Sequence, residues 1–384
     1  MSGAGAAALP PTLPPTLHWL AALAQPERVL AWTLADWQPV VRLARRLRLL
    51  ARLAEAIDAA GLTGQLAPPV RRHLLAEQRL SRARIAAVRW TLDGISAVLQ
   101  DAPYPKVLLK GAAYIGQGLP IARGRLPSDL DLLVPQRHVD DAQARLIAAG
   151  WAEPALDAHD RAYYHQWSHE VPPMTHPLYP LELDLHHNIL PPVGHVLIDA
   201  DRLLACLVPS TIPGWQVLSP VDQVLHSAAH LFFDSELQDR VRDLVDLDGL
   251  MRHFGLTPGF WQRLPARAAE LGLDEPLALA LHFAQAWLAT PVPVDVARQA
   301  RQTGLTALQR AWLLPLLRTA MQPTAAHAPS AAAQRLAARL LLARHHVRRL
   351  PLRLLLPHLW HKALQWQAGL RPAARVADTA PGQP

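Results

Sequence analysis

Two aspartates separated by a single residue, Asp129 and Asp131, are the side chains whose spacing most clearly suggests chemistry. They lie in the segment 129–134, whose other residues are leucine and valine, and this apolar content predicts a buried strand. Residues two apart on a strand project from the same face, so the two carboxylates would repel each other without a cation. Magnesium binds one or two carboxylates and completes its shell with water and substrate phosphates. The pair therefore predicts a site for Mg²⁺ or Mn²⁺ that aligns a triphosphate.

A second polar strand supplies further carboxylates for the same site. The segment 181–187, Leu-Glu-Leu-Asp-Leu-His-His, alternates with period two, which predicts a strand with one wet face. Asp184 is the predicted third metal-binding carboxylate, and the acceptor hydroxyl is expected to lose its proton near it. Glu182, on the same face, is the alternative. His186 also shares this face, where it either orients a metal ligand or the substrate or has a purely structural role.

The segment upstream of the aspartates predicts the phosphate-binding half of the site. The apolar run 106–110 is typical of a buried strand, and Gly111 then turns the chain into a short helix. Such a turn presents backbone N–H groups to an anion. Lys110 adds a cation beside the phosphates, and Arg125 is expected to stabilise charge on the triphosphate. We therefore predict that Lys110, Gly111 and Arg125 bind the nucleotide.

The order of these segments is more specific than any one of them. An Asp-x-Asp pair by itself is usually a surface loop or strand edge, and a glycine turn after an apolar strand is also a weak signal. Here the turn comes first, one short helix and a loop separate it from the aspartates, and a carboxylate-bearing strand follows. This succession favours a single site for a metal ion and a nucleotide.

Taken together, these segments resemble the uncharacterised nucleotidyltransferase family of the polymerase-β superfamily, and the resemblance covers most of residues 30–255. It is carried by Leu108-Leu-Lys-Gly111, Arg125, Ser128-Asp-Leu-Asp-Leu-Leu-Val134, the helix ending at Gly150, and Asp184-Leu-His186. The resemblance implies that Asp129, Asp131 and Asp184 bind the metal and that Gly111 lies at the nucleotide-binding turn. The wider superfamily has a serine at this turn. Here alanine follows Gly111, so a serine–phosphate contact is not implied.

Composition and hydrophobic periodicity predict the secondary-structure elements that must position these residues. Good helix formers dominate, with 51% hydrophobic and 18% charged residues, which is typical of a globular, helix-rich chain. We predict an α+β fold in which a small mixed β-sheet core is flanked by N- and C-terminal helical regions. A helical pattern from Trp32 to Ala59 predicts one long helix. The expected regions are N-terminal helices over 16–101, the nucleotidyltransferase core over 102–215, C-terminal helices over 216–370 and a disordered tail over 371–384.

Charge, cysteine content and hydropathy restrict location and partners. The net charge of +7 is spread along the chain, so it favours polyanionic partners such as NTPs, while nucleic acid stays open but is not favoured. The single cysteine, Cys206, excludes an intrachain disulfide and fits a reducing cytoplasm. Neither a signal peptide nor an apolar run of about 18 residues is found, so we expect a soluble, cytoplasmic protein without stable membrane insertion.

Two weaker patterns have competing interpretations. His226 and His230 lie four apart on a predicted helix, a spacing that can bind zinc, but the glutamate of a His-Glu-x-x-His site is missing. A role in packing or in a substrate pocket is therefore favoured. The segment 331–366 is basic and amphipathic, which suits anionic lipid or nucleic acid, but packing on the protein with a charged outer face is the preferred interpretation.

We therefore predict an enzyme, a metal-dependent nucleotidyltransferase. It is expected to transfer a nucleoside monophosphate from an NTP such as ATP to an unknown acceptor, either a small molecule or a protein. The alternative is a catalytically silent nucleotide-binding protein or an antitoxin-like regulatory partner. The presence of all three carboxylates argues against simple loss of function.

Overall fold

The computed structural model describes residues 13–156, 164, 167–234, 237–324 and 331–349. The predicted tail at 371–384 and residues 350–370 of the predicted C-terminal region lie outside these ranges. The α+β prediction is confirmed, because helices predominate around one small mixed sheet of six strands. No helix within the described ranges is both long and apolar enough to cross a membrane.

The helices that precede the sheet bury one apolar face each. Thr33 begins the first of them through a capping box with Asp36. The prediction of one helix from Trp32 to Ala59 is wrong, because Arg48 adopts a left-handed backbone conformation, with φ of 56°, that ends one helix and starts the next. These helices are α1 (Leu34–Arg46), α2 (Leu50–Ala59) and α3 (Pro68–Val98). Short 3₁₀ helices span Pro15–Leu23, Pro26–Ala31 and Thr63–Gln65.

The sheet has the strand order β3-β4-β2-β1-β6-β5. Its strands are β1 (Val107–Leu108), β2 (Asp129–Leu133), β3 (Met174–His176), β4 (Tyr179–His186), β5 (Val208–Pro209) and β6 (Gln216–Val217). Strand β2 pairs in parallel with β4 and antiparallel with β1. The predicted strand over 106–110 is shorter than expected, because α4 (Lys110–Gly116) already begins at its last residue.

Two connections complete the region around the central strands. A 3₁₀ turn at Pro120–Ala122 lies in the loop that leads to β2. After β2, a 3₁₀ turn at Gln136–His138 leads directly into α5 (Val139–Ala148). The short helix α6 (Ala200–Leu204) lies between β4 and β5. The long helix α3 packs against β4, where Gly94 faces Tyr179.

The helices that follow the sheet begin directly after Ser219. Ser219 caps α7 by accepting a hydrogen bond from the N–H of Asp222. This part contains α7 (Pro220–Phe232), α8 (Val241–Phe254), α9 (Phe260–Leu271), α10 (Asp274–Leu288), α11 (Val294–Gly304), α12 (Ala307–Met321) and α13 (Ala332–Arg349). One continuous apolar core includes buried residues from all three predicted regions. The boundaries between those regions stay predictions.

The basic helix α13 packs on the protein through its arginines. Arg344 and Arg348 both form ion pairs with the carboxylate of Glu275 in α10, and the contact from Arg348 is 2.6 Å long. Part of the basic face therefore pairs within the chain, as the packing interpretation predicts for the described portion of the segment 331–366.

Candidate functional site

The parallel pairing of β2 with β4 brings two of the predicted carboxylates together. Asp131 lies directly opposite Asp184, and Asp129 lies opposite Glu182 two residues earlier. The intervening leucines are completely buried on the other face, which fixes the register because a slip of one residue would place carboxylates in the core. The Leu109 N–H donates to the carbonyl of Asp131 at 3.0 Å, which attaches the turn at Lys110 and Gly111 to the same strand.

Asp131 is the most enclosed of these carboxylates, with 4% of its surface exposed. Two nitrogen atoms approach its Oδ1 atom: Lys110 Nζ at 2.6 Å and His186 Nε2 at 3.1 Å. Burial opposes ionisation of Asp131, but the charge of Lys110 and the hydrogen bond from His186 hold its pKa well below the usual range. Asp131 is therefore a permanent anion at the centre of the site.

Asp184 has the opposite electrostatic character. Burial, followed by the nearby charges of Asp131 and Glu170, raises the pKa of Asp184 to about 7. Its carboxylate makes no hydrogen bond or ion pair with any other residue in the described part of the chain. A half-buried carboxylate beside a permanent anion is unfavourable when ionised, and an added cation would remove that cost.

His186 connects the aspartates with a residue that the sequence did not single out. Its ring is 2% exposed, its Nε2 faces Asp131, and its Nδ1 lies 3.3 Å from Oε2 of Glu170. Glu170 is held there by an isolated antiparallel bridge with His186 itself. Two groups of candidate metal ligands share this histidine, with donor atoms within 4.8 Å of one another: one adds Asp131 and Asp184, and the other adds Glu170 and His169.

Asp129, the first aspartate of the predicted pair, occupies the exposed start of β2. Ser128 donates a hydrogen bond of 3.4 Å to its Oδ1. Among the described residues, neither compact group of candidate ligands includes Asp129 or its neighbour Glu182. The predicted roles of Asp129 as a metal ligand and of Glu182 as an alternative therefore stay predictions.

The turn at Lys110 and Gly111 brings a strained backbone and a close contact together. Lys110 has φ of 43°, a left-handed conformation that is unfavourable for a residue with a side chain. At Gly111, an added Cβ atom would come within 2.9 Å of Nε of Arg125. Glycine permits the close approach of the guanidinium here, and its own backbone angles do not demand it.

Arg125 is buried between that turn and the C-terminal helices. It forms an ion pair with Asp246 of α8, and its guanidinium carbon lies 5.1 Å from the ring centroid of Tyr114. Burial, together with the charge of Arg242, lowers the pKa of Arg125. The arginine therefore joins α4 to α8 through Asp246, and its predicted contact with a triphosphate stays a prediction.

The loop that carries Arg125 is held by a second arginine. Arg52 of α2 donates to the carbonyls of Pro120, Ile121 and Arg123, at 3.2 Å for Pro120 and 3.0 Å for Arg123. Burial lowers the pKa of Arg52 to about 10. The N-terminal helices thus position the loop between the glycine turn and the aspartate strand.

The helices α7 and α8 form another wall beside Lys110. Burial, followed by the charge of Lys110, lowers the pKa of His226 to about 3 and that of His230 well below its usual value, so both imidazoles are neutral. Among the described residues they do not belong to a compact group of candidate metal ligands. Their role in packing or in a substrate pocket stays a prediction. Asp243 is paired with Arg240 and Arg242, so this helix start supplies its own charge partners.

Comparisons with known proteins identify one matching family. The family model described as "Uncharacterised nucleotidyltransferase" matches residues 33–289. That range begins just before α1, ends just after α10, and contains every candidate residue of the site. No curated protein and no solved structure matches the chain.

Proposed function

Because the chain belongs to this uncharacterised nucleotidyltransferase family, we propose that it is a metal-dependent enzyme that transfers a nucleoside monophosphate from an NTP to an acceptor group. The acceptor atom is the oxygen of a hydroxyl, a phosphate or a protein side chain. The observation that carries the proposal is the register of β2 against β4, which places Asp131 beside Asp184 next to the turn at Lys110.

The residues present fit a hard divalent cation, Mg²⁺ or Mn²⁺. Lys110 and His186 both approach Oδ1 of Asp131, so its Oδ2 is the oxygen that would bind the ion together with Asp184. The raised pKa of Asp184 supports this assignment, because a carboxylate beside Asp131 needs a positive charge to ionise at neutral pH. Asp129 is the proposed third ligand. When bound, the cation supplies positive charge to the triphosphate oxygens.

In the proposed reaction, Asp184 takes the proton of the acceptor hydroxyl. The freed oxygen forms a bond to the α-phosphorus, the bond between that phosphorus and the bridging oxygen to the β-phosphate breaks, and pyrophosphate leaves with the electron pair. The raised pKa of Asp184 describes the metal-free site; with the cation bound, Asp184 would be ionised at neutral pH and able to accept this proton. Lys110, Gly111 and Arg125 are proposed to hold the phosphates, with Lys110 nearest to the carboxylates.

The test measures cation-dependent nucleotide binding and transfer together. The wild-type protein is titrated calorimetrically with each NTP, with and without Mg²⁺ or Mn²⁺, and is then incubated with α-labelled NTPs while pyrophosphate is assayed. We expect binding that requires the cation and is lost in Asp184→Asn. The control, Asp140→Asn, removes an exposed carboxylate in the first turn of α5. The proposal would be refuted if the nucleotide bound equally well with and without the cation, and equally well to the wild type and to Asp184→Asn.

One observation favours the catalytically silent alternative. The ammonium of Lys110 already neutralises Asp131, so this carboxylate does not depend on a metal ion for its charge balance. A silent protein would bind nucleotide without releasing pyrophosphate, and a stable complex with another protein would survive Asp131→Ala. Pyrophosphate release by the wild type, absent in Asp184→Asn, would exclude this alternative.

A further inference from the structure

A second group of metal-ligating side chains lies beside the paired aspartates. His169, Glu170 and His186 place one donor atom each within 4.8 Å of one another. Their side chains are 22%, 14% and 2% exposed, so the group is enclosed on the side of His186 and open on the side of His169. Two imidazoles and one carboxylate form a donor set that suits zinc and similar transition metals, rather than magnesium.

The orientation of His186 is the second observation that points to a metal ion. Its Nε2 lies 3.1 Å from Oδ1 of Asp131, so a proton on this nitrogen makes a hydrogen bond and leaves Nδ1 with a free lone pair. Nδ1 is completely buried and makes no hydrogen bond, although it faces the carboxylate of Glu170. Histidines that bind a metal usually donate their other N–H to a carboxylate. Asp131 provides that carboxylate here.

The spacing of the group is close to what a metal ion needs. Nδ1 of His186 is 3.3 Å from Oε2 of Glu170, and Nε2 of His169 is 3.9 Å from the same oxygen. Bonds of about 2.1 Å in a tetrahedral site separate neighbouring donors by about 3.4 Å, so small side-chain rotations are sufficient.

The backbone also holds the three residues in place. The N–H of His187 donates to the carbonyl of His169 at 2.9 Å, and the N–H of Val171 donates to Leu185 at 2.9 Å. These bonds fix the segment that carries Glu170 along the end of β4. The side chains of His169 and Glu170, which must rotate to bind a metal ion, therefore extend from a backbone that is hydrogen-bonded to β4.

We propose that His169, Glu170 and His186 form a transition-metal site of the zinc class, with a fourth position open to solvent or substrate. It lies beyond the proposed magnesium site and uses the opposite nitrogen of the one histidine that both groups contain. Three protein ligands and one open position are the arrangement found at catalytic rather than structural zinc sites.

Cobalt is the probe for the test, because four-coordinate Co²⁺ absorbs visible light far more strongly than six-coordinate Co²⁺. The full-length protein is freed of metal with a chelator and titrated with Co²⁺ in the absence of nucleotide. We expect one intense four-coordinate spectrum per chain, abolished by one equivalent of Zn²⁺. His169→Gln and Glu170→Gln should each weaken Co²⁺ binding at least about tenfold. His195→Ala, which removes an exposed histidine, should leave it unchanged.

A conservative substitution distinguishes the loss of a metal ligand from a loss of Co²⁺ binding caused by misfolding. His169→Cys keeps a metal-binding side chain, so it should retain Co²⁺ and add a sulfur-to-cobalt charge-transfer band. Circular dichroism melts establish that each variant is folded. A folded wild type without the four-coordinate spectrum, or glutamine variants that bind Co²⁺ like the wild type, would overturn the site. His186 would then be a protonated imidazole held between Asp131 and Glu170.

The same variants separate this site from the proposed function. His169→Gln should lose Co²⁺ but keep Mg²⁺-dependent NTP binding, because His169 does not belong to the ligand group that contains the paired aspartates. Asp184→Asn should lose the Mg²⁺-dependent binding and keep the Co²⁺ spectrum. If one proposal fails, the experiment still tests the other, because the two variants affect different measurements.

Discussion

The raised pKa of Asp184 predicts that this residue stabilises the metal-free protein less as the pH rises toward 7. Between the usual pKa of 3.8 and the folded value of about 7, the folded state holds a proton on Asp184 that the unfolded state has released. Because the folded state holds this proton in the window, the contribution of Asp184 to the free energy of unfolding falls with increasing pH. About 3 pKa units correspond to a contribution on the order of 4 kcal/mol, which is complete below pH 4 and lost above pH 7.

The assay compares the wild type with Asp184→Asn, which removes this titration while keeping the shape of the side chain. Urea unfolding is measured at pH 5, 6, 7 and 8 without divalent cations. Between pH 5 and pH 8 the variant should gain about 2.5 kcal/mol of stability relative to the wild type, because about 1.5 of the roughly 4 kcal/mol is already lost at pH 5. Subtracting the two curves cancels the other titrating groups. Asp140→Asn, the exposed control, should follow the wild type at every pH.

Added Mg²⁺ tests whether ionised Asp184 destabilises the protein at high pH because no cation lies beside it. Millimolar Mg²⁺ should stabilise the wild type more at pH 8 than at pH 5, because binding requires the ionised form of Asp184. The variant should respond weakly at both values. If the stability difference between wild type and variant does not change with pH, Asp184 is not held neutral by its neighbours, and the electrostatic account of the site is incorrect.

Two glycine substitutions test how closely the site and its supporting helix are packed. Gly94→Ala should lower the unfolding free energy by about 1–3 kcal/mol, because its Cβ would lie 2.0 Å from the Tyr179 hydroxyl and three aromatic rings surround that side chain. Gly64→Ala, with open space around it, is the control for the same melts. Gly111→Ala should change stability by less than about 1 kcal/mol, since better helix propensity offsets the contact with Arg125, but calorimetry should detect weaker NTP binding. Unchanged NTP affinity in that variant would contradict the proposed role of the turn.

The aspartate strands could be predicted from sequence because their signals are local. Alternation with period two places Glu182, Asp184 and His186 on one face, and the leucines between them bury the other. The same pattern defines β2, so the pairing of two such strands needed only the correct register. The start of α7 is also predictable from sequence, because the capping serine Ser219 and the first-turn proline Pro220 lie within a single turn.

Other features depend on contacts that distant segments make. Glu170 lies in an irregular stretch with one isolated bridge to β4, so no periodic pattern marks it as part of the site. The ion pair of Arg125 joins residues more than one hundred positions apart, and its partner Asp246 is one of several charged residues in the segment 240–248, with no local pattern that distinguishes it. A His-Glu pair such as His169 and Glu170 was the available signal, but such pairs become informative only when a second strand supplies His186.

His186 couples the two groups of candidate metal ligands, because each of its ring nitrogens faces a different acidic residue. Its Nε2 and the ammonium of Lys110 approach the same oxygen of Asp131, and its Nδ1 faces Glu170. A metal ion on Nδ1 would keep the proton of this histidine on Nε2, directed at Asp131, whereas a proton on Nδ1 would make the ring a cation. The first state fixes the tautomer and adds the charge of the metal ion itself, and the second places a positive charge on the ring beside Lys110. Occupancy of the proposed histidine site therefore sets the charge that Asp131 experiences, which is the same charge that determines how strongly it binds a second cation.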